Sequence, residues 1–177
     1  MKSEINKIVD EFKKQNSIDF ELSFVMPKGY EEAFGTYDVE VDTLFLNINK
    51  NNDKILIFYT LFHELRHALQ YKKSENFNLD IRQSINYVIL YNGNCFKLKD
   101  NKWIECHLEG FDFINFYLSL PYEIDANEFA YSEMKKRYGE SETLINIYNK
   151  NKPTNKENNE ELKKIFAQID EKTSENH

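Results

Sequence analysis

The sequence predicts a small α+β domain in which a short antiparallel sheet packs on a central helix, with a second helix beside it. Residues 18–26 alternate apolar and polar side chains, as a strand buried on one face does. Two further strand-like segments, 34–40 and 43–48, are joined by a short turn. From 53 to 71 apolar residues occupy nearly every side of a helical pattern, which predicts a central helix. With 177 residues and 41% hydrophobic content, the chain is expected to bury one such core.

Two flanking helices are predicted from residues that favour helix ends. Ser3 is expected to cap a first helix that ends near Asn16, because a serine hydroxyl accepts hydrogen bonds from free backbone amides. Pro121 suits the first turn of a helix, and Gly139 is a typical stop. A long helix is therefore expected between these two residues.

The middle of the chain is predicted to contain a β-hairpin. Asp100–Asn101 is a turn signal between two strand-like segments. Counting outward from this turn sets Cys95 opposite Cys106 in a hydrogen-bonded pair, whose wider Cα separation favours free thiols over a disulfide. Residues 74–92 fit a helix or a strand.

Charge and composition exclude several classes of partner. The net charge of −7 argues against a nucleic-acid partner, because phosphate binding needs a concentrated basic surface. Neither a signal peptide nor an apolar run of membrane-spanning length is found, so we expect a cytoplasmic protein with no membrane partner. A reducing compartment agrees with only two cysteines.

The predicted central helix contains His63-Glu64-Leu65-Arg66-His67, a His-Glu-x-x-His motif. Four helical residues turn the chain by about 400°, so the imidazoles of His63 and His67 lie roughly 40° apart on one face. Zinc binds such neutral imidazoles, and Glu64 would lie beside the metal as a general base. By chance the motif arises in roughly one chain of this composition in a hundred, so two histidines in an ordinary core helix are the alternative.

A catalytic zinc site needs a third protein ligand, which a neighbouring helix usually supplies. Glu123 is the favoured candidate, since it lies at the start of a helix whose alanines would allow close packing, and Asp125 is the second choice. Asn127, one turn after Glu123, is expected to orient His67. His107 and the tail residue His177 are weaker candidates for the third ligand.

The order of motifs resembles the ImmA/IrrE family of zinc metallo-endopeptidases. In that family the His-Glu-x-x-His motif is followed by Glu-x-x-Ala-Asn/Asp-x-Phe-Ala, and the upstream hairpin is similar to 35–37 and 44–47 here. The resemblance covers about residues 30–135. The chain departs from the family in lacking a Leu-Leu-Met-Pro-like continuation and in having an inserted hairpin. The second motif is matched by Glu123, Ala126, Asn127, Phe129 and Ala130.

The resemblance implies a small zincin-like single domain and a role for each motif residue. It implies Zn²⁺ held by His63, His67 and Glu123, with Glu64 as the base in the hydrolysis of a protein or peptide substrate. A repressor or antitoxin-like regulator of a mobile element is the substrate class suggested by analogy. We predict a metallopeptidase domain over 1–148, a polar linker over 149–159 and a C-terminal helix and tail over 160–177.

Several alternatives remain open from the sequence. A catalytically dispensable zinc-binding regulatory or interaction protein of the same fold would contain the same motifs. Manganese or iron also binds two histidines and a carboxylate. The candidates for a donor that stabilises the transition state are Tyr37, Tyr122, Tyr131 and His107.

Overall fold

The structure is a computed structural model that describes residues 1–50, 53–90, 92–155 and 159–174. These ranges contain seven α-helices and two three-stranded sheets, which confirms the α+β fold. The elements are α1 (Lys2–Asn16), β1 (Glu21–Ser23), β2 (Gly35–Asp38), β3 (Thr43–Leu46), α2 (Lys54–Lys72), a 3-10 turn (Ser74–Asn76), α3 (Leu79–Ser84), β4 (Tyr87–Ile89), β5 (Asn94–Lys99), β6 (Lys102–His107), α4 (Phe113–Ser119), α5 (Pro121–Tyr138), α6 (Glu142–Lys150) and α7 (Asn159–Ser174).

The first sheet has the strand order β1-β3-β2 and is mixed, so the expectation of an antiparallel sheet was wrong in part. β2 and β3 form the predicted antiparallel pair, whereas β1 runs parallel to β3. The chain reverses twice between β1 and β3, so these strands must run in the same direction when they pair. β1 is also shorter than predicted, because the Ser23 hydroxyl accepts a hydrogen bond from the Val25 amide and turns the chain.

The central helix α2 is confirmed. The Asp53 carboxylate caps it by accepting hydrogen bonds from the amides of Ile55 (2.8 Å) and Leu56 (3.4 Å). In α1, by contrast, Ser3 does not cap: the helix begins after Met1, whose carbonyl accepts from the Ile5 amide at 3.0 Å. α2 lies against the first sheet and α5, and together with α1 these elements bury the first core.

The helix predicted between Pro121 and Gly139 is also confirmed, as α5. Gly139 has φ 80°, and its amide donates to the Lys135 carbonyl at 3.0 Å, which ends the helix. Ala126 and Ala130 are fully buried on the side of α5 that packs with α2. Their small side chains let the two helix backbones approach.

The second sheet has the order β4-β5-β6 and contains the predicted hairpin. Asp100 and Asn101 both have positive φ, as a two-residue type I′ turn requires. Cys95 lies opposite Cys106 in the β5–β6 register, and both thiols are free of a disulfide, as expected. The ambiguous stretch 74–92 forms the 3-10 turn, α3 and β4, with residue 91 outside the described residues.

Helix α7 covers the second sheet and completes the second core. It ends at Ser174, and its buried positions continue to Thr173. The predicted linker overlaps the end of α6, and residues 156–158 and 175–177, including His177, lie outside the described residues. The domain limits stay a prediction. Among the described residues, we found no helix with the length and apolar character needed to cross a membrane.

Candidate metal centre

Three side chains from two helices converge at the packed face between α2 and α5. His63 and His67 lie one turn apart on α2, and their Nε2 atoms are 2.9 Å apart. Glu123, in the first turn of α5, places Oε2 3.2 Å from Nε2 of His63 and Oε1 3.5 Å from Nε2 of His67. One ligand atom from each residue lies within 4.8 Å of the others. The structure thus brings together the three residues predicted as metal ligands.

The amide of Gln70 determines which ring nitrogen of His67 carries a proton. Its Nε2 donates to the Tyr122 carbonyl (2.9 Å) and to Oδ2 of Asp125 (2.7 Å), so this atom must be the amide nitrogen. The amide oxygen of Gln70 therefore faces Nδ1 of His67, at 2.8 Å. Because that oxygen only accepts, Nδ1 of His67 donates, and Nε2 of the neutral ring is left with a lone pair.

Asn127 orients His63 in the same manner. Its Nδ2 donates to the Asn151 carbonyl at 3.1 Å, so its Oδ1 faces Nδ1 of His63 at 3.0 Å. The expectation that Asn127 orients His67 was therefore wrong in the choice of histidine. In an α-helix, residues one turn apart project at different heights, and Asn127 reaches the ring on the earlier turn of α2.

The resulting centre favours a cation. Two imidazole lone pairs that face each other at 2.9 Å repel unless a positive charge lies between them. Oε2 of Glu123 is also buried without a hydrogen-bond donor among the residues that the structure describes. A buried carboxylate oxygen needs a partner. The donor set and the unsatisfied atom both fit a divalent metal ion, so the cluster can hold one.

The ionisation of these residues shows the same preference for positive charge. Burial alone would lower the pKa of His67, but the Glu123 carboxylate outweighs it and raises this pKa to about 9. Burial would likewise raise the pKa of Glu123, yet the two histidines hold it well below its usual range. The carboxylate is thus kept ionised beside the imidazoles.

Glu64 lies next to the cluster and is held by the first sheet. Its Oε2 accepts a hydrogen bond from the Tyr37 amide at 2.9 Å, and its residue is only 7% exposed. Burial raises the pKa of Glu64 despite the opposing effect of the nearby histidines. Gly35 permits this approach, because a Cβ there would lie 2.8 Å from Cγ2 of Thr60 and 3.0 Å from Cγ of Glu64.

Asp125 and His107 have other partners. Both oxygens of Asp125 bind the Arg66 guanidinium, at 2.7 and 2.9 Å, so this carboxylate faces Arg66 rather than the histidines. His107 lies on β6, where its Nδ1 contacts Oδ1 of Asn94 at 3.0 Å. Neither residue belongs to the converged group.

The tyrosines proposed as donors lie in different surroundings. The Tyr37 hydroxyl donates to Asp42 at 2.6 Å, and the Tyr131 hydroxyl bonds Glu140 at the surface. Only Tyr122 lies against the cluster, with its ring centroid 5.4 Å from that of His67. Tyr37 contributes to the site through its backbone amide instead of its side chain.

Comparison with known proteins gives no relative. No protein-family model matches the chain, and neither curated proteins nor solved structures give a match. The resemblance to the ImmA/IrrE pattern therefore remains one of motifs, and the functional argument depends on the geometry of the site.

Two residues of the site were missed from the sequence. Gln70 had a signal, since it lies three positions after His67 and so faces the same side of α2. Tyr117 lies on the unpredicted helix α4, close to Glu123. Burial, followed by the charges of Glu123 and Glu64, raises its pKa well above the usual value. One tyrosine among 11 gave no signal.

Proposed function

We propose that the protein is a zinc-dependent metallo-endopeptidase that hydrolyses peptide bonds of a protein substrate. The observation that carries the proposal is a buried carboxylate, Glu64, oriented by the sheet beside a His-His-Glu group. Three protein ligands leave a coordination position for water, which distinguishes catalytic zinc sites from structural ones. Zinc held by His63, His67 and Glu123 would lower the pKa of water toward about 7 and polarise a carbonyl.

Glu64 moves the proton in this mechanism. One of its oxygens is held by the Tyr37 amide, which leaves the other for the attacking water. The carboxylate takes a proton from that water and delivers it to the leaving amine. Its raised pKa suits both steps, because a general base that must later act as an acid works best when its pKa approaches the working pH.

The edge of the first sheet supports a peptide substrate. β2 is an edge strand in the described sheet, and its outward-facing Tyr37 amide already reaches Glu64. An extended peptide that paired along this edge would pass directly beside the catalytic carboxylate. A repressor or antitoxin-like regulator as the substrate is supported by the motif resemblance alone.

Metal content is the first test. Elemental mass spectrometry on protein purified without a metal-affinity tag should find about one zinc per chain, and Glu123→Ala should lose it. Glu128→Ala is the matched control, because Glu128 is exposed on the same helix. A wild-type protein that stays metal-free after zinc is supplied would contradict the proposal.

Cleavage is the second test. A complex mixture of peptides and denatured proteins, read by mass spectrometry of new termini, should show a cleavage pattern with the wild type that a chelator removes. Glu64→Gln should keep its zinc and lose about 10²- to 10⁴-fold in rate, the usual contribution of a general base. An unchanged rate in this variant would reject Glu64 as the base.

A second candidate function is a zinc-binding regulatory or interaction protein whose turnover is dispensable. One observation favours it: Glu64, His67 and Glu123 are at most 7% exposed, which restricts access for a macromolecule. This candidate predicts that zinc-loaded protein cleaves nothing in the mixture, while removal of zinc still lowers its thermal stability.

A further inference from the structure

We infer that Gln70 and Asp125 are positioning residues, which join the His67 ligand to the chain segment that carries Glu123. The inference rests on the proposed metal-dependent function. Gln70 is fully buried on α2, and its single amide uses one acceptor and two donors. The acceptor faces His67, while the donors reach the Tyr122 carbonyl and the Asp125 carboxylate. These last two residues lie on either side of Glu123 in α5.

Asp125 is in turn fixed by Arg66. The guanidinium forms two hydrogen bonds with the carboxylate, at 2.7 and 2.9 Å, which is the geometry of a strong Arg–carboxylate pair. The guanidinium also lies over the rings of Phe77 and Phe129, at 4.6 and 4.9 Å from their centroids. Asp125 therefore presents a fixed and neutralised carboxylate to Gln70.

The two histidines are held by different kinds of support. On the His63 side, Asn127 is anchored to a backbone carbonyl and to the Tyr59 hydroxyl, which contain no charge. On the His67 side, the chain of contacts runs through Gln70 to an ion pair. Breaking the contacts on the His67 side releases His67 and loosens the position of Glu123 at the same time. Gln70 produces both effects, because it bonds both His67 and the residues that flank Glu123.

The first measurement is zinc affinity, by competition with a chromophoric chelator, on the full-length protein. Loss of a partner that orients a metal ligand typically weakens metal binding by 10- to 100-fold. Gln70→Met keeps the length of the side chain and removes all three hydrogen bonds, so we expect a loss in that range. Asp125→Asn keeps the size and removes the charge, and a smaller loss is expected. The double variant should lose less binding free energy than the sum of the two single losses, because both residues act on one network.

Leu69→Ala separates positioning from general stability. Leu69 precedes Gln70 on α2 and is buried in the first core, and its apolar side chain forms no hydrogen bond. It should lower the thermal midpoint and leave the zinc affinity unchanged. The cobalt-substituted protein gives an independent readout, because the visible bands of Co²⁺ report ligand geometry. Gln70→Met should shift these bands, and Leu69→Ala should not.

The outcomes distinguish this inference from the function on which it rests. If wild type binds zinc and both Gln70→Met and Asp125→Asn match it in affinity and cobalt spectrum, the positioning role is overturned while the metal centre stands. If wild type binds neither zinc nor cobalt, the proposed function and this inference fall together. If Gln70→Met does not fold, Asp125→Asn decides alone: weaker zinc binding with a shifted spectrum supports the inference, and wild-type behaviour overturns it.

Discussion

The two cores of the protein bury different kinds of polar group. In the first core, Glu64, His67 and Gln70 reach across to partners on β2 or α5. In the second core, Ser84 and Thr173 donate to carbonyls of their own helices. Asn115, beside this core, bonds the backbone of Asn155, which lies outside any helix or strand. A buried polar side chain with a local partner stabilises its own element, whereas one with a distant partner holds two elements in a defined geometry. The difference explains why the candidate site belongs to α2 rather than to the larger second sheet.

The centre nevertheless depends on both cores. Tyr122, next to Glu123, packs in the second core, while Ala130 and Met134 of the same helix pack in the first. α5 therefore begins in one core and ends in the other. Glu123 lies at the start of this helix, so the second core helps to set its distance from the histidines of α2.

A matched pair of core substitutions gives the largest expected effect. Leu65→Ala in the first core and Ile165→Ala in the second each remove a fully buried side chain and should lower the free energy of unfolding by about 2–5 kcal/mol. Leu65 lies on α2 between the motif residues, whereas Ile165 lies on α7, so Leu65→Ala should weaken zinc binding more than Ile165→Ala. Denaturant unfolding and chelator competition measure the two effects. An equal loss of zinc affinity in Ile165→Ala would erase the distinction between the cores.

The contact of β2 with α2 should be nearly as sensitive. In Gly35→Ala the added Cβ meets Thr60 and Glu64, so the strand must move away and Glu64 loses its orientation. At the proposed general base, a displacement of this size should cost on the order of 10²-fold in turnover, and zinc should be retained. The measurement is cleavage rate together with metal content.

Thr60→Ser provides the rescue for this prediction. It removes Cγ2, which is the nearest atom to the added Cβ, and should restore part of the activity of Gly35→Ala. A double variant as impaired as the single one would mean that the loss has another cause, such as a changed β2 backbone.

The proximity of Tyr117 to Glu123 tests how far the second core acts on the site. Burial, followed by the charge of Glu123, raises the pKa of Tyr117. If the neutral hydroxyl donates to this carboxylate, Tyr117→Phe should weaken zinc binding by roughly tenfold, because a hydrogen bond to a charged group contributes about 1.5–3 kcal/mol. Tyr87→Phe is the control, since the Tyr87 hydroxyl also bonds a carboxylate in this region, Asp170, at 3.0 Å but contacts no residue of the cluster. Equal zinc affinities in the two variants would show that Tyr117 acts only in packing.

Local signals predicted the parts of the fold and site that depend on a few adjacent residues. The motif on α2, the ends of α5 at Pro121 and Gly139, and the hairpin turn at Asp100–Asn101 all belong to this class. In each case a spacing or a backbone preference is sufficient, and no distant contact is needed to recognise it.

Contacts between distant segments were not predictable in the same way. The parallel pairing of β1 depends on which edge of β3 it meets, and alternation of apolar residues does not contain that information. Asn127 contacts His63 instead of the expected His67, and this choice depends on the relative height of α2 and α5. Asp125 was the second choice for the third ligand, and its ion pair with Arg66 on the neighbouring helix could not be predicted from spacing alone.

The smallest expected effect near neutral pH concerns the thiols of the second core. Burial, followed by the neighbouring Cys106, raises the pKa of Cys95 to about 12, against about 8.5 for an unfolded cysteine. At pH 8 the folded protein should therefore react slowly with iodoacetamide at Cys95, and the unfolded protein quickly, as peptide mass spectrometry would show. Because the folded pKa is raised, the contribution of this thiol to stability is complete below about pH 8.5 and is lost as the pH rises toward 12. If the stability of the wild type falls no faster than that of Cys95→Ala over this interval, the raised pKa is contradicted. Rapid labelling of Cys95 in the native protein would show that the second core opens readily to solvent.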